Sequence, residues 1–336
     1  MRAFTNILLV FLFTACTSVP DERMTSYVDF PETRELTART LSLDSALFRY
    51  PYRVRVQDDK AVVLDLHGTE YFFHAFHYPG FHYLSSFGKR GDAPEEMLSA
   101  ENLRWNGNFL WTLDSNKSEL TRLGFASSGD SLLRLEAVSL DEELLRALDF
   151  VQYDDSTFII PDYSGDGRFC LVSRQGKLLR KIGTVPTANE DALKSARPAL
   201  AQAWRSFIDY NPRNGVLAPA TQLGEVLEIY NLKDSTHIVR IGPNGEPEFQ
   251  ISQGYGIPIG IMGFSDIQVT DSAIYVVFQG RAFKDIMQKA QQGINLPDGG
   301  QNIYVFSLEG KPLRKYVLDH YIHGISVDEQ KGIIIA

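Results

Sequence analysis

Three aspartates, Asp65, Asp114 and Asp162, stand 49 and 48 residues apart, and each ends an apolar run: Ala61–Asp65, Phe109–Asp114 and Phe158–Asp162. Carboxylates repeated around a ring could hold a cation or a basic ligand. An acid that leads a strand into a polar turn can equally cap the backbone N–H groups of that turn. Later parts of the chain lack an acid at the matching place, which weakens a cation ring. A second group, Trp204, Arg205, Tyr210, Tyr255, Arg281 and His323, combines aromatic and cationic side chains suited to a ligand pocket. Packing between repeats is the competing use of the same residues. Arg90 sits with Lys89 in the glycine-punctuated stretch Gly88–Glu96, where backbone donors and two cations could clamp an anion. The candidate ligand-binding residues are therefore Arg90, Asp65, Asp114, Asp162, Arg205, Tyr255, Arg281 and His323.

Other chemistry is not legible. His74, His77 and His82 crowd one segment, but the odd separation of His74 and His77 sends them to opposite faces of a strand, so no metal site is expected. No nucleophile elbow, phosphate loop or dinucleotide fingerprint occurs. No catalytic residue and no cofactor is expected.

The aspartate step also describes the elements that must position these residues. An apolar strand ending in a polar turn, repeated at this period, reads as a β-propeller. The expected fold is all-β, a six-bladed propeller of four-stranded blades with two short helical insertions. Blade 1 is read at Tyr52–Val56, Ala61–Asp65, Tyr71–Phe76 and His82–Phe87, and blade 2 at Asn102–Trp105, Phe109–Asp114, Glu119–Gly124 and Leu132–Val138. Blade 3 is read at Leu148–Tyr153, Phe158–Asp162, Phe169–Ser173 and Leu178–Ile182, and blade 4 at Ser206–Tyr210, Val216–Pro219, Glu225–Tyr230 and His237–Ile241. Blade 5 follows at Asp266–Val269, Ile274–Phe278, Asn302–Phe306 and Leu313–Val317, with Gly324–Val327 and Ile333–Ala336 opening blade 6. The segments Glu35–Leu43 and Tyr27–Phe30 are expected to close that last blade. Short turns such as Asn106-Gly107 fall on one face of the ring, and the long links fall on the other. Two links carry helical patterns, Asn189–Trp204 interrupted by Pro198, and Phe283–Ala290. Insertions gathered on one face of a repeat protein mark its working face.

The formal net charge of -9 over 336 residues argues against a nucleic-acid surface. Arg2, an apolar run from Ile7 to Phe13 and then Thr14-Ala15-Cys16 form a targeting segment too short to span a bilayer. It resembles the bacterial lipoprotein lipobox, which implies a signal peptide over residues 1–15, lipidation at Cys16 and a tether over residues 16–26. The propeller then occupies residues 27–336. Cys170, the second cysteine, lies in an apolar strand as a small buried hydrophobe.

The lipobox, the blade pattern and the Gly88–Glu96 link together resemble the TolB-like six-bladed propeller lipoproteins of Bacteroidetes. Gly88, Arg90, Gly91, Pro94 and Glu95 keep the pattern of that link, whereas Ala93 replaces a usual glycine. The resemblance implies a six-bladed fold and a cell-envelope location. It carries no catalytic residues over. Attachment to the membrane through the lipid at Cys16 and a monomeric state are expected. The leading expectation is a binding lipoprotein whose long-link face engages a protein, peptide or glycan. The alternative is a metal-dependent lactonase or lyase acting in the propeller channel.

Overall fold

A computed structural model describes residues 24–41, 43 and 48–336. The targeting segment, Cys16 and most of the tether lie outside the described residues. Five antiparallel sheets of four consecutive strands follow one another along the chain. Blade 1 comprises Pro51–Gln57, Lys60–Asp65, Tyr71–His77 and His82–Lys89. Blade 2 comprises Leu103–Asn106, Phe109–Asp114, Glu119–Phe125 and Leu132–Ser139. Blade 3 comprises Val151–Asp154, Thr157–Pro161, Phe169–Ser173 and Leu178–Ile182. Blade 4 comprises Ser206–Asn211, Val216–Thr221, Val226–Asn231 and Thr236–Ile241. Blade 5 comprises Ile261–Val269, Ala273–Ala282, Gly300–Ser307 and Pro312–Ile322. A further pair, Ser326–Asp328 with Ile333–Ile335, follows blade 5 and packs its first strand against the first strand of blade 1. The fold is an all-β propeller.

Blades bury both faces, so the second strands of blades 1 to 4 are buried along nearly their whole length rather than in alternation. Val62, Leu64, Phe73 and Leu110 fill the seam between blades 1 and 2, and Trp111, Phe158 and Cys170 that between blades 2 and 3. Each fully buried large side chain contributes roughly 1.5–3 kcal/mol. Gly324 is where the pair after blade 5 meets blade 1: a Cβ there would lie 2.8 Å from the Tyr52 carbonyl oxygen. Only glycine allows that approach.

The N-terminal strands do not close the last blade among the described residues, which corrects the expectation above. Met24–Ser26 pairs in parallel with Val239–Ile241, and Thr33–Leu36 pairs in parallel with Lys315–Leu318. They become fifth, outermost strands of blades 4 and 5. Tyr27 and Phe30 form no strand; both rings are buried between those blades, 5.3 Å from Phe306 and 4.6 Å from Tyr304 respectively. The outer strands present open edges, and two aromatic side chains have a ready apolar gap between them.

Long segments gather on the face where inner strands begin. They include helices Glu190–Ser195 and Arg197–Ala203 before blade 4, the hairpin Phe249–Ser252 with Tyr255–Pro258 before blade 5, and helix Phe283–Gln291 within blade 5. The hairpin is not apparent in the sequence pattern, because residues 249–258 carry glycine and polar residues at every few positions.

Candidate functional site

The first strand of each blade borders the central channel, and these strands carry charges: Arg53 and Arg55 on blade 1, Arg104 on blade 2 and Asp209 on blade 4, each between apolar neighbours, and Asp266 on blade 5 between Ser265 and Ile267. Asp149 precedes the first strand of blade 3. Arg53 and Arg55, two apart, lie on the same strand face. They converge on Asp266, which Arg55 grips through both guanidinium ends at 2.8 and 2.9 Å and which Arg53 also contacts. Arg104 reaches both oxygens of Asp149 at 3.0 Å and Asp209 at 2.7 Å.

The same acids bind the next part of the ring through its backbone. Asp149 accepts the Ile208 N–H at 2.8 Å, Asp209 the Val269 N–H at 2.7 Å, and Asp266 the Ile325 N–H at 2.9 Å. Burial alone would raise the Asp266 carboxyl, but Arg53 and Arg55 outweigh it and hold it below the usual carboxylate range. Burial pushes the Asp209 carboxyl up despite Arg104 and the Val269 N–H. Three guanidinium groups and three carboxyl groups thus join the blades across the channel. These acids are engaged by arginine and backbone donors rather than turned toward a metal, and no group of three or more His, Cys, Asp or Glu among the described residues is arranged to hold one.

The three periodic aspartates act elsewhere. Asp65 accepts the Arg49 and Tyr50 N–H groups at 2.8 and 2.7 Å, fixing the entry to blade 1. Asp114 accepts from Leu98 N–H at 2.7 Å and from Asn116 and Lys117 N–H at 3.0 Å. Asp162 accepts from Ser164 and Gly167 N–H at 3.0 and 2.8 Å. All three are buried and hold the backbone of a following turn or of the segment entering their blade, and they form no common site. Arg90 is likewise local: it donates to the Gly68 carbonyl at 3.2 Å and lies over the Phe72 ring.

The remaining candidates lie on the long-link face. His323, in the link after blade 5, is 2.9 Å from the Tyr50 hydroxyl and 3.6 Å from Asp298. Tyr50 gives its single proton to Asp298, so it accepts from His323 Nε2–H, and that fixes the imidazole tautomer. Burial lowers the His323 pKa, opposed by Asp298. The Tyr50, Tyr52, His67 and His323 rings form a contiguous cluster with centroids 5.0–5.9 Å apart. Arg281 reaches the Pro297 and Gly299 carbonyls and lies over Tyr321, which orders the segment carrying Asp298. Arg205, directly before the inner strand of blade 4, shares its surroundings with Tyr163, Arg146 and Tyr52. Tyr255 stands apart on the hairpin, exposed. Trp204 and Tyr210 pack in the core seams instead.

His323, Arg281 and Arg205, singled out in the sequence, lie on the long-link face, whereas Tyr50, Asp298 and the inner-strand charges were not singled out. A charged residue flanked by apolar ones in a first strand, as in Val54-Arg55-Val56 and Leu103-Arg104-Trp105, was the available signal.

A member of the DUF4221 family from Bacteroides vulgatus is similar in structure, with 9% identity, 81% of this chain and 83% of that chain covered, and a TM-score of 0.50. A Bacteroides fragilis protein assigned as exported is similar at 10% identity, covering 85% of this chain and 80% of that one, with a TM-score of 0.51. At such identities the likeness concerns the fold alone. No curated protein matches the sequence. A family model described as TolB-like 6-blade propeller-like matches residues 29–330, nearly the whole propeller, and the chain belongs to that family.

Proposed function

We propose that this chain is a lipid-anchored envelope protein whose propeller presents its long-link face to a protein, peptide or glycan. The observation that carries the reading is the contrast between the two parts of the channel. The centre is joined across by ion pairs of Arg53, Arg55 and Arg104 with Asp149, Asp209 and Asp266. The mouth holds the exposed His67 and the partly exposed Tyr50, Tyr52, Arg281 and His323, on the same face as the helices and hairpin of the long links. A rigid ring with variable segments on one face suits recognition better than chemistry.

A lipobox-like Thr14-Ala15-Cys16 supports the anchor, and the exported Bacteroides fragilis relative is consistent with an envelope location. The family description and the strand pair Ser326–Asp328 with Ile333–Ile335 support a sixth blade. Labelling of Cys16 with a fatty-acid analogue in a bacterial host tests the anchor, and loss of label in Cys16→Ser is expected.

The face is tested by quantitative capture from an envelope extract. One variant replaces residues 283–299 with a short turn; another carries substitutions at the opposite turns, Asn106 and Gln175. Capture is expected to fall in the first and to hold in the second. Equal capture by both would remove the face assignment.

A further inference from the structure

The outer strands of blades 4 and 5 each take a short parallel strand from the N-terminal segment. On blade 5 the Lys315 N–H donates to the Glu32 carbonyl at 2.8 Å, and the Arg314 guanidinium meets the Glu32 carboxylate at 2.5 Å. On blade 4 the host arginine is Arg240, which donates to the Thr25 hydroxyl at 2.6 Å, and three paired residues suffice. Parallel backbone pairing plus a contact from an arginine of the host strand is thus how an extended segment settles on this rim.

Blade 3 carries a second copy of the blade 5 acceptor. Lys177-Leu-Leu-Arg-Lys181 corresponds to Lys311-Pro-Leu-Arg-Lys315. Gly176 and Gly310 turn the two hairpins at φ 83° and 77°, each donating its N–H at 2.9 Å to the carbonyl of Ser173 or Ser307. Each outer strand then skips one leucine, Leu179 or Leu313, before Arg180 pairs with Leu171 and Arg314 with Val305. Equal register sends the Lys181 N–H where the Lys315 N–H goes, to the outer edge. Only the cover differs. Among the described residues no strand pairs with the outer edge of Leu178–Ile182. Leu179 is 58% exposed against 36% for Leu313, and Arg180 is exposed where Arg314 is partly buried.

The remaining rims are built differently. Blade 1 is covered by its own link, in which the Met97 N–H donates to the Lys89 carbonyl at 2.8 Å. On blade 2, Arg134 is engaged by Glu119 at 2.8 Å and by the Pro94 carbonyl at 2.5 Å. On blade 3, Lys181 turns to Asp166 at 3.0 Å, which leaves the exposed Arg180 and Lys177 as the charges along the edge. A positive edge suits an acidic segment.

We propose that the outer edge of blade 3, Leu178–Ile182, accepts an extended acidic segment of a partner protein as a parallel fifth strand. A backbone carbonyl of that segment takes the Lys181 N–H, and a carboxylate beside it takes Arg180, as Glu32 does with Lys315 and Arg314. Gly183, at φ 69°, turns the chain away after Ile182, so the pairing is about as short as the one on blade 4. This rim site lies apart from the long-link face and does not depend on it.

The probe is a fluorescent peptide with the sequence of residues 31–38, titrated into the full chain in detergent and followed by anisotropy and by hydrogen exchange. Saturable binding is expected, with slowed exchange at Leu178–Ile182. Arg180→Ala is expected to weaken it about threefold to fivefold, the range of an exposed ion pair. Arg180→Glu is expected to weaken it further, and a peptide carrying Glu32→Arg to recover binding to that variant. Arg180 is exposed, so both variants are expected to keep the wild-type melting temperature. Absence of binding, or equal binding by Arg180→Glu, would overturn the site. So would slowed exchange at Lys315–Leu318 instead, since the peptide would then be displacing the chain's own segment. A dimer that forms with rising concentration and is lost in Arg180→Glu would make a second copy the occupant and overturn the assignment to a partner protein. The capture experiment decides the long-link face independently of all these outcomes.

Discussion

Asp266 and Ile325 are joined across the gap between blade 5 and the strand pair that follows it, by a 2.9 Å hydrogen bond from the Ile325 N–H to the carboxylate. The same carboxylate holds Arg53 and Arg55 of blade 1. One side chain therefore ties together three consecutive parts of the ring, including the place where its two ends of chain order meet. Asp149 and Asp209 repeat the arrangement between blades 3, 4 and 5.

Asp266→Ala leaves two buried guanidinium groups and a backbone N–H without their partner. The expected loss is about 3–5 kcal/mol of stability, the usual cost of breaking a buried ion pair from one side. Chemical denaturation of the variant beside the wild type measures it. A change below about 1 kcal/mol would show that the ring does not depend on this junction.

Glu228 and Arg168 form a second fully buried pair, between blades 4 and 3. Burial would push the Glu228 carboxyl up, yet Arg168, together with His237 and Tyr230, outweighs this and lowers it to about 2. Tyr230 donates to it at 2.7 Å. A carboxyl with a depressed folded pKa contributes stability that is complete above the ordinary carboxylate range and is lost as pH falls through that range toward about 2. Glu228→Gln is expected to cost about 3–5 kcal/mol at neutral pH. It should also flatten the acid side of the stability curve, which melting temperatures between pH 7 and pH 3 would reveal.

Cys170 is buried in the seam between blades 2 and 3, and burial pushes its thiol up to about 12, with Asp162 adding to the effect. The thiolate is the reactive form. In a Cys16→Ser chain, a thiol-specific reagent at pH 8 is expected to leave Cys170 unmodified until denaturant is added. Rapid stoichiometric labelling of the folded protein would contradict the burial.

Phe30 is buried against Tyr27, Tyr304 and Phe306. Phe30→Ala is expected to cost about 3–5 kcal/mol by opening a cavity between blades 4 and 5. Hydrogen exchange offers a local reading: protection should fall at Lys315–Leu318, where Thr33–Leu36 pairs, before it falls in blades 1 to 3.

Several features were open to reading from residue order alone. Apart from the first strand of blade 3, read from Leu148 and observed from Val151, the strands of blades 1 to 4 lie within a residue or two of where apolar runs and turn residues put them, because strand and turn chemistry is local. Asp65, Asp114 and Asp162 illustrate the limit of that reading. Their spacing marked the repeat, but a carboxylate at a strand end accepts backbone N–H groups a few residues away as readily as it faces a ligand. Only the folded geometry separates these uses, and here all three hold backbone N–H groups: Asp65 and Asp114 those of the segment entering the blade, Asp114 and Asp162 those of the turn that follows.

Residue order therefore determined the repeat, the blade strands and the face that receives the long links, since each depends on neighbours in the chain. Tertiary structure decided what no local pattern contains. The parallel docking of Thr33–Leu36 on a strand some 280 residues later depends on an open sheet edge that exists only after folding. The partnership of Arg55 with Asp266 follows from which side chains the ring brings together and removes from water. Charge pairing in a low-dielectric interior is a property of distance and burial, and neither is written in the spacing of residues along a strand.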